Sequence, residues 1–423
     1  MRGGPGHRSG PGTANATVSE TMKLLHLADV HLGASYAGFG DLAAERAQEV
    51  LDAFRRLPDT AAAERVDAVL IAGDLFDAPQ PRPEILSAVR DTLRRMVDAC
   101  IPVFMVPGNH DAITLRLNPY RELARAARVV VQSNGETSER RWPVLDEQGR
   151  RLAEKHSVYI LGRPTFAEPI TVETEAGALH VYGIAYDAAE SRDPLGTFRR
   201  GPDPGVHAAL LHASVHDASH WRASGNSLAV TTDALSRLDV DYIALGDHHA
   251  HHPPDDMAGP PACYPGSFAA TDVTEAGPHG YVIVEVEPGG SARIEHRDAG
   301  VRQTASIELD VSTCRDEIHV AEAATRLVPP RAIPLIRLVG EPSFPLDADA
   351  IATELRERFG HAEIRDETRY YASDRLDELA GSDTVLGHLV RIGRDRIGES
   401  EEPLDREVAQ RALRVALRAL GAD

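Results

Sequence analysis

Cysteine is scarce in this chain. There are three in 423 residues, Cys100, Cys263 and Cys314, far apart and with no CxxC pair. That excludes a disulfide framework and zinc-finger spacing, and it fits a reducing cytosol. Lysine is nearly absent: only Lys23 and Lys155 occur, so arginine carries the positive charge. Arginine forks suit phosphate, but an Ala- and Arg-rich composition is read first as coding bias. No apolar run reaches the length of a membrane span, so no membrane partner is expected. Arg2 and Arg8 have no apolar stretch behind them, which argues against a secretory signal. Positive charge is also in deficit overall. The formal net charge is −20, which disfavours a broad non-specific DNA-binding surface and leaves room for a local groove or bound cations.

Apolar residues make up 42% of the chain, enough for a sizeable core, and the length favours two or three domains. Residues 1–21 are rich in Gly, Pro, Ser and Thr and read as a disordered extension. The folded pattern begins at Met22, which reads as an alternative start. Apolar runs bounded by turn residues then recur at Leu24–Ala28, Ala68–Ala72, Val103–Val106, Val129–Gln132, His180–Ile184, Ala208–Leu211 and Tyr242–Leu245. Helical patterns over Leu42–Arg56, Pro83–Cys100, Tyr120–Ala127 and Thr232–Arg237 separate several of them. This alternation predicts an α/β layered core. Strands near Ala262–Tyr264, Tyr281–Val286 and Ala292–His296 follow without helices and predict a second, more antiparallel sheet. Asp255–Pro261 reads as a loop. After about residue 300 the pattern becomes a smaller α+β domain. Its strands are Ile307–Val311, Ile333–Leu338 and Ala362–Ile364, its helix is Ala348–Phe359, and two tail helices cover Thr384–Ile397 and Pro403–Leu420. The expected division is therefore 1–21, 22–300 and 301–423.

Five motifs carry the chemistry: Asp29-Val30-His31, Gly73-Asp74-Leu75-Phe76-Asp77, Gly108-Asn109-His110-Asp111, Leu211-His212 and Gly246-Asp247-His248-His249. Each follows a strand-like run, and ligands in α/β folds collect beyond the carboxyl ends of strands. Asp29 and His31 are two apart, so an extended stretch points both the same way. Carboxylate, imidazole and amide donors suit Mn, Fe, Zn or Mg, and two such ions side by side suit phosphate ester hydrolysis. The expected chemistry is in-line attack by a hydroxide bridging two cations about 3.5–4 Å apart. His110 is the candidate proton donor, with Asp111 beside it to orient the ring. Taken singly, each motif has an ordinary reading. DxH triplets arise by chance, Gly-Asp is often a turn, His212 alone would be a hydrogen-bonded core residue, and His248, His249, His251 and His252 could form a polar loop. Asp77 reads equally as a cap, a residue supporting the metal ligands or a groove residue. His156, His207 and His361 have no motif context. His216 and His220 follow His212 at helical spacing. The five motifs in order outweigh the single readings.

The series resembles the calcineurin-like metallophosphoesterases, and within them the SbcD-type DNA repair exonucleases and the YhaO-like branch. The opening Leu24-Leu25-His26-Leu27-Ala28-Asp29-Val30-His31-Leu32-Gly33 carries the likeness, as do Asp241–Gly246, Tyr264-Pro265-Gly266-Ser267 and Gly280–Val284. It covers about residues 22–300. The resemblance implies a four-layer α/β/β/α sandwich with a smaller C-terminal α+β cap domain. It implies one ion held by Asp29, His31 and His249, a second held by Asn109 and His212, Asp74 as bridge, and His110 as the catalytic histidine. The family usually shows Gly-His-x-His where this chain has Gly246-Asp247-His248-His249. Asp247 then takes the second-ion position and makes it harder and more anionic; a shifted pair, His249 with His251, is the other register. The implied cofactors are two divalent ions, Mn foremost, with Mg, Fe or Zn as alternatives. The implied partners are DNA and an SMC-like ATPase of SbcC type on the tail helices, with room for a homodimer. The rival expectations are a phosphatase or small-molecule phosphodiesterase on the same scaffold, or a regulatory subunit with a weak site.

Overall fold

The computed structural model describes residues 21–126, 129–133, 136–140, 157–187, 194–215, 227–253, 259–289, 291–344, 346–368, 373–400 and 403–420. The N-terminal extension up to residue 20, His156, His216 and His220, and residues 255–258 of the expected loop lie outside them. The chain forms two compact units. The first comprises residues 1–34, 50–269 and 279–300, and the second residues 35–49, 270–278 and 301–423. The second therefore takes in two short segments from before the expected boundary near 300. The fully buried Arg46 accounts for this. Its guanidinium donates to the carbonyls of Arg302 and Ala270 and lies 5.1 Å over the Phe39 ring, tying all three pieces of that unit together.

In chain order the first unit carries β1 (Met22–Leu27), α1 (Ala43–Glu64, its first residues counted in the second unit), β2 (Ala68–Ala72), α2 (Pro83–Asp98), β3 (Val103–Val106), α3 (Pro119–Ala126), β4 (Val129–Ser133), β5 (Glu136–Arg140), β6 (Val158–Leu161), β7 (Ile170–Thr174), β8 (Gly177–Ile184), β9 (Val206–His212), β10 (Ser214–Val215), β11 (Ala229–Val230), α4 (Thr232–Ser236), β12 (Tyr242–Gly246), β13 (Ala262–Cys263), β14 (Gly280–Glu287) and β15 (Ser291–Asp298). An eight-stranded sheet runs β15-β14-β1-β2-β3-β6-β4-β5, and a five-stranded sheet runs β13-β12-β9-β8-β7. Both are mostly parallel, with antiparallel strands at their margins. The sheets pack face to face. Leu24, Leu70, Phe104 and Val106 of the larger share one core with Leu179, Val181, Leu210 and Ala244 of the smaller. Burying each of these Leu, Val and Phe side chains is worth roughly 1.5–3 kcal/mol. The unit is thus a mixed α/β sandwich.

One expectation is corrected. β14 and β15 are no part of a second antiparallel sheet. They form a hairpin on the free edge of β1, with Leu24 opposite Val284 and His26 opposite Val282. An open edge of backbone donors beside a buried core has to be paired, and the apolar run of β14 supplies the partner. The second sheet is built instead from β8, β9 and β12, whose buried runs read like those of the first.

In the second unit β16 (Thr304–Asp310), α5 (Glu317–Leu327), β17 (Ile333–Val339), α6 (Ala348–Phe359) and β18 (Glu363–Asp366) make a three-stranded parallel sheet with two crossover helices, followed by α7 (Ser373–Ala380), α8 (Val385–Glu399) and α9 (Pro403–Ala419). Among the described residues no helix is long and apolar enough to cross a membrane.

His26 ties the two sheets of the first unit together. Its Nε2 donates to the Leu245 carbonyl at 3.1 Å, so Nδ1 accepts from Tyr242 Oη at 2.9 Å. Burial holds this imidazole neutral and pushes its pKa down to about 3. The folded value lies below the unfolded one, so the stability it contributes is present above pH 6.5 and is lost as pH falls toward 3. In that window the protein is expected to lose about 1.4 kcal/mol more per pH unit than a His26→Gln variant. Melting curves of the two across roughly pH 7 to 4 check this, and parallel curves would refute it.

Candidate metal centre

Five loops leave the carboxyl ends of β1, β2, β3, β9 and β12, so both sheets feed one point. Backbone hydrogen bonds zip the first two loops together. Asp29 N donates to Gly73 O (3.2 Å), Val30 N and His31 N donate to Asp74 O (2.9 and 3.0 Å), and Leu32 N donates to Leu75 O (3.0 Å). This ladder needs left-handed backbone at Asp29 (φ 49°), His31 (φ 48°) and Asp74 (φ 46°). Such conformations cost of order 1–3 kcal/mol each in non-glycine residues and persist where surroundings over-determine them. Gly73, at φ 92°, leaves room for the imidazole of His212: a Cβ there would lie 2.2 Å from His212 Nδ1.

Three overlapping donor groups result, each with its atoms within 4.8 Å of one another: Asp29, His31 and His249; His31, Asp74 and His110; Asp29, Asp74 and His212. His31 Nε2 lies 3.2 Å from His249 Nε2. His212 Nε2 lies 2.8 Å from Asn109 Oδ1, 3.4 Å from Asp74 Oδ2 and 3.6 Å from Asp247 Oδ1. Its other nitrogen is fixed 2.9 Å from the Ala72 carbonyl. All seven residues expected to hold metal therefore converge. Asp74 belongs to both halves. Its Oδ2 lies 3.9 Å from His31 Nε2, and its Oδ1 accepts from His110 N at 2.9 Å.

The side chains fit divalent cations. Two imidazole nitrogens meet head to head, and buried His31 Nδ1 lies 3.2 Å from Asp77 Oδ1 without forming a directed hydrogen bond. The charges of the cluster shift one another's protonation equilibria. Burial alone would lower the His212 pKa, but Asp74, Asp29 and Asp247 around it raise it well above the usual imidazole range. Burial alone would raise Asp74, and the imidazoles of His212, His31 and His110 hold it below the usual carboxylate range. Asp29 is pushed up, chiefly by burial.

Asp111 differs from expectation. Its carboxylate accepts from Gly108 N (2.8 Å), Phe76 N (3.1 Å) and Tyr120 Oη (2.7 Å), so it laces the second and third loops together. Burial and the nearby Asp74 charge raise it to about 6. The His110 ring is held instead by Asp77, whose carbonyl lies 3.0 Å from His110 Nδ1. A carboxylate that finds backbone donors in its own turn satisfies them first, which adjacency in sequence does not reveal. Tyr120, nine residues on, has no sequence signal. Asp77 does, through its spacing of three from Asp74. Ser227, which donates to Asp247 Oδ1 at 2.7 Å, has none. Of the shifted pair, His249 joins Asp29 and His31, whereas His251 Nδ1 lies 3.0 Å from Tyr264 O. His207 stacks on His180 and bonds Tyr182 Oη, a core role.

Buried carboxylates and imidazoles at the strand ends of a two-sheet α/β sandwich define a metal-dependent phosphoesterase. The calcineurin-like phosphoesterase family model matches residues 22–251, more than half of the chain, and the chain belongs to that family. It is 26% identical to the uncharacterized metallophosphoesterase YhaO of Bacillus subtilis, over 63% of this chain and 58% of that protein. It is 28% identical to the DNA double-strand break repair protein Mre11 of Haloferax volcanii, over 75% of this chain and 62% of that one. The SbcD component of the nuclease SbcCD of Bacillus subtilis is 29% identical over 64% of this chain and 68% of its own length. The matches thus span less than two thirds of YhaO and of the Haloferax protein. Among solved structures, the calcineurin-like phosphoesterase YfkN of Bacillus subtilis aligns with a TM-score of 0.36 and 13% identity, over 67% of this chain and 93% of that one.

A protonated His212 would have to lose its proton to bind a cation, so metal uptake is expected to release protons and to weaken as pH falls through the raised His212 range. Titration calorimetry in two buffers of different ionisation enthalpy reads this directly. Heats independent of the buffer would contradict it.

Proposed function

We propose that the chain is a two-metal phosphodiesterase acting on DNA ends, most active with Mn2+. The observation that carries this reading is the exposed His110 on the rim of the donor cluster, its amide bonded to Asp74 and its ring braced by Asp77. In this reading Asp29, His31 and His249 hold one cation, Asn109, His212 and Asp247 hold the other, and Asp74 is shared. When bound, the cations would supply a more acidic water as nucleophile and positive charge at the phosphoryl oxygens. The chain's residues do the rest. A carbonyl only accepts, so His110 Nδ1 carries hydrogen, and Nε2 is the atom free to exchange a proton. The protonated ring donates that Nε2 proton to the leaving oxygen as the phosphorus–oxygen bond breaks. Asp77 keeps the ring in this tautomer. Asp111 keeps the loop closed beneath it.

DNA as substrate is supported by the likeness to proteins named for double-strand break repair and for the SbcCD nuclease. An SMC-like ATPase of SbcC type is the proposed partner, and Val385 and Ile392 of α8 with Val408 and Val415 of α9 offer exposed apolar positions seven residues apart for a helical contact. Pairing into a homodimer and a cytosolic setting are part of the same proposal. The second reading is a small-molecule phosphodiesterase, favoured by the net charge of −20.

Cleavage of end-labelled linear duplex DNA in Mn2+ tests the choice. The intact protein is expected to cleave, with and without a purified ATPase partner compared. His110→Ala is expected to lose roughly 10²–10⁴-fold in rate while keeping its metal content. Hydrolysis of a chromogenic diester with DNA left intact even beside the partner would move the assignment to the second reading. Loss of metal in the variant would overturn the role of His110.

A further inference from the structure

We propose that the two cation pockets are chemically unequal, and that Asp247, held in place by Ser227, makes the pocket around His212 the harder one, biased toward oxygen-seeking ions such as Mg2+ and Mn2+ relative to its neighbour. The inference rests on the two-cation reading of the site and concerns which ion each half prefers.

The donor sets differ. The half around His31 brings two imidazole nitrogens together, 3.2 Å apart, with Asp29 and the shared Asp74 beside them. The half around His212 has one imidazole nitrogen facing three side-chain oxygens, those of Asn109, Asp74 and Asp247, at 2.8, 3.4 and 3.6 Å. Imidazole suits Zn2+ and its neighbours, whereas carboxylate and carbonyl oxygens suit Mg2+ and Mn2+. Asp247 is also built into its position. It adopts φ 101°, a strained value for a residue with a side chain, immediately after the end of β12. It cannot slide back along the strand, because a Cβ at Gly246 would lie 1.9 Å from the Ala72 carbonyl. Its backbone N–H donates to both oxygens of Asp29 at 3.3 and 3.2 Å, so the residue that hardens one pocket also anchors a donor of the other. Ser227 Oγ donates to the carboxylate oxygen nearest His212 and fixes its direction. Ser227 is thus a positioning residue acting through Asp247.

The test is metal binding by the full chain, stripped of metal and titrated with Mn2+ and with Zn2+, alone and in competition, with bound metal read by elemental analysis after dialysis. The intact chain is expected to take up two Mn2+, and the ratio of Zn2+ to Mn2+ affinity is expected to be lower at one site than at the other. Asp247→His, which puts a second nitrogen in the His212 half, is expected to raise that ratio at this site by roughly 10-fold or more while stoichiometry stays at two. Asp247→Asn tolerates the positive φ and guards against a folding failure. It and Ser227→Ala are expected to weaken one Mn2+ by roughly 10–100-fold and leave the other in place. A Zn2+ to Mn2+ ratio equal at the two sites, or unmoved by Asp247→His, overturns the inference while the two-cation reading stands. Uptake of a single cation by the intact chain overturns both.

Discussion

The Asp74 carboxylate is the interaction on which the rest of the first unit is arranged. One oxygen accepts the amide of His110, and the other faces the imidazoles of His212 and His31. Three loops and both sheets therefore meet on one residue. Its backbone carbonyl is engaged too, accepting from Val30 and His31. The left-handed turns at Asp29, His31 and Asp74 accompany that pairing, which brings the two loops side by side. Strain at these positions is tolerated because ladder, core and donor cluster all demand the same geometry.

Such a cluster is costly to bury unless its charges are matched. Carboxylates and imidazoles match one another here through their protons. The carboxylates around His212 favour its protonated form, and burial pushes Asp29 toward its neutral form. In the proposed reading a divalent cation would take the place of these protons among the same donors. The same carboxylates that raise the His212 pKa are the oxygens that would face the ion. Protons and cations would then be alternative ways of neutralising one constellation, competing for the same atoms.

Much of this is legible in the sequence. Buried parallel strands announce themselves as short apolar runs, and β1, β2, β3, β8, β9 and β12 all lie on the runs read that way. The donors follow directly after those runs, which is why all seven can be named before their arrangement is known. What the runs do not carry is partner choice. The apolar pattern of β14 is the same whether it joins β1 or begins a new sheet, and only the open edge of β1 decides. Local signals fail elsewhere for similar reasons. Pro58 suggests a stop, yet α1 continues to Glu64, because buried Phe54, Leu57 and Ala61 hold its apolar face across the lost hydrogen bond. α5 escapes the pattern although Asp316 caps it by accepting from His319 N, since its short apolar face resembles a loop beside two stronger strands. Adjacency pairs Asp111 with His110, whereas its turn offers it two amides and a tyrosine.

The two-sheet origin of the donors constrains how a substrate can arrive. Asp29, Asp74 and Asn109 follow strands of the larger sheet, while His212 and Asp247 come from the smaller one. Any parting of the sheets would pull His212 from Asp74 and Asn109, and His26 opposes it by joining β1 to Tyr242 and Leu245. Access is therefore from the loop side, where His110 is exposed and Asn109 and His249 are half-buried, while Asp29, Asp74 and His212 are sealed beneath. That gradient separates two tasks. In the proposed reading the sealed residues hold the cations. In the same reading the exposed His110 is the side chain that an incoming phosphate ester would meet first.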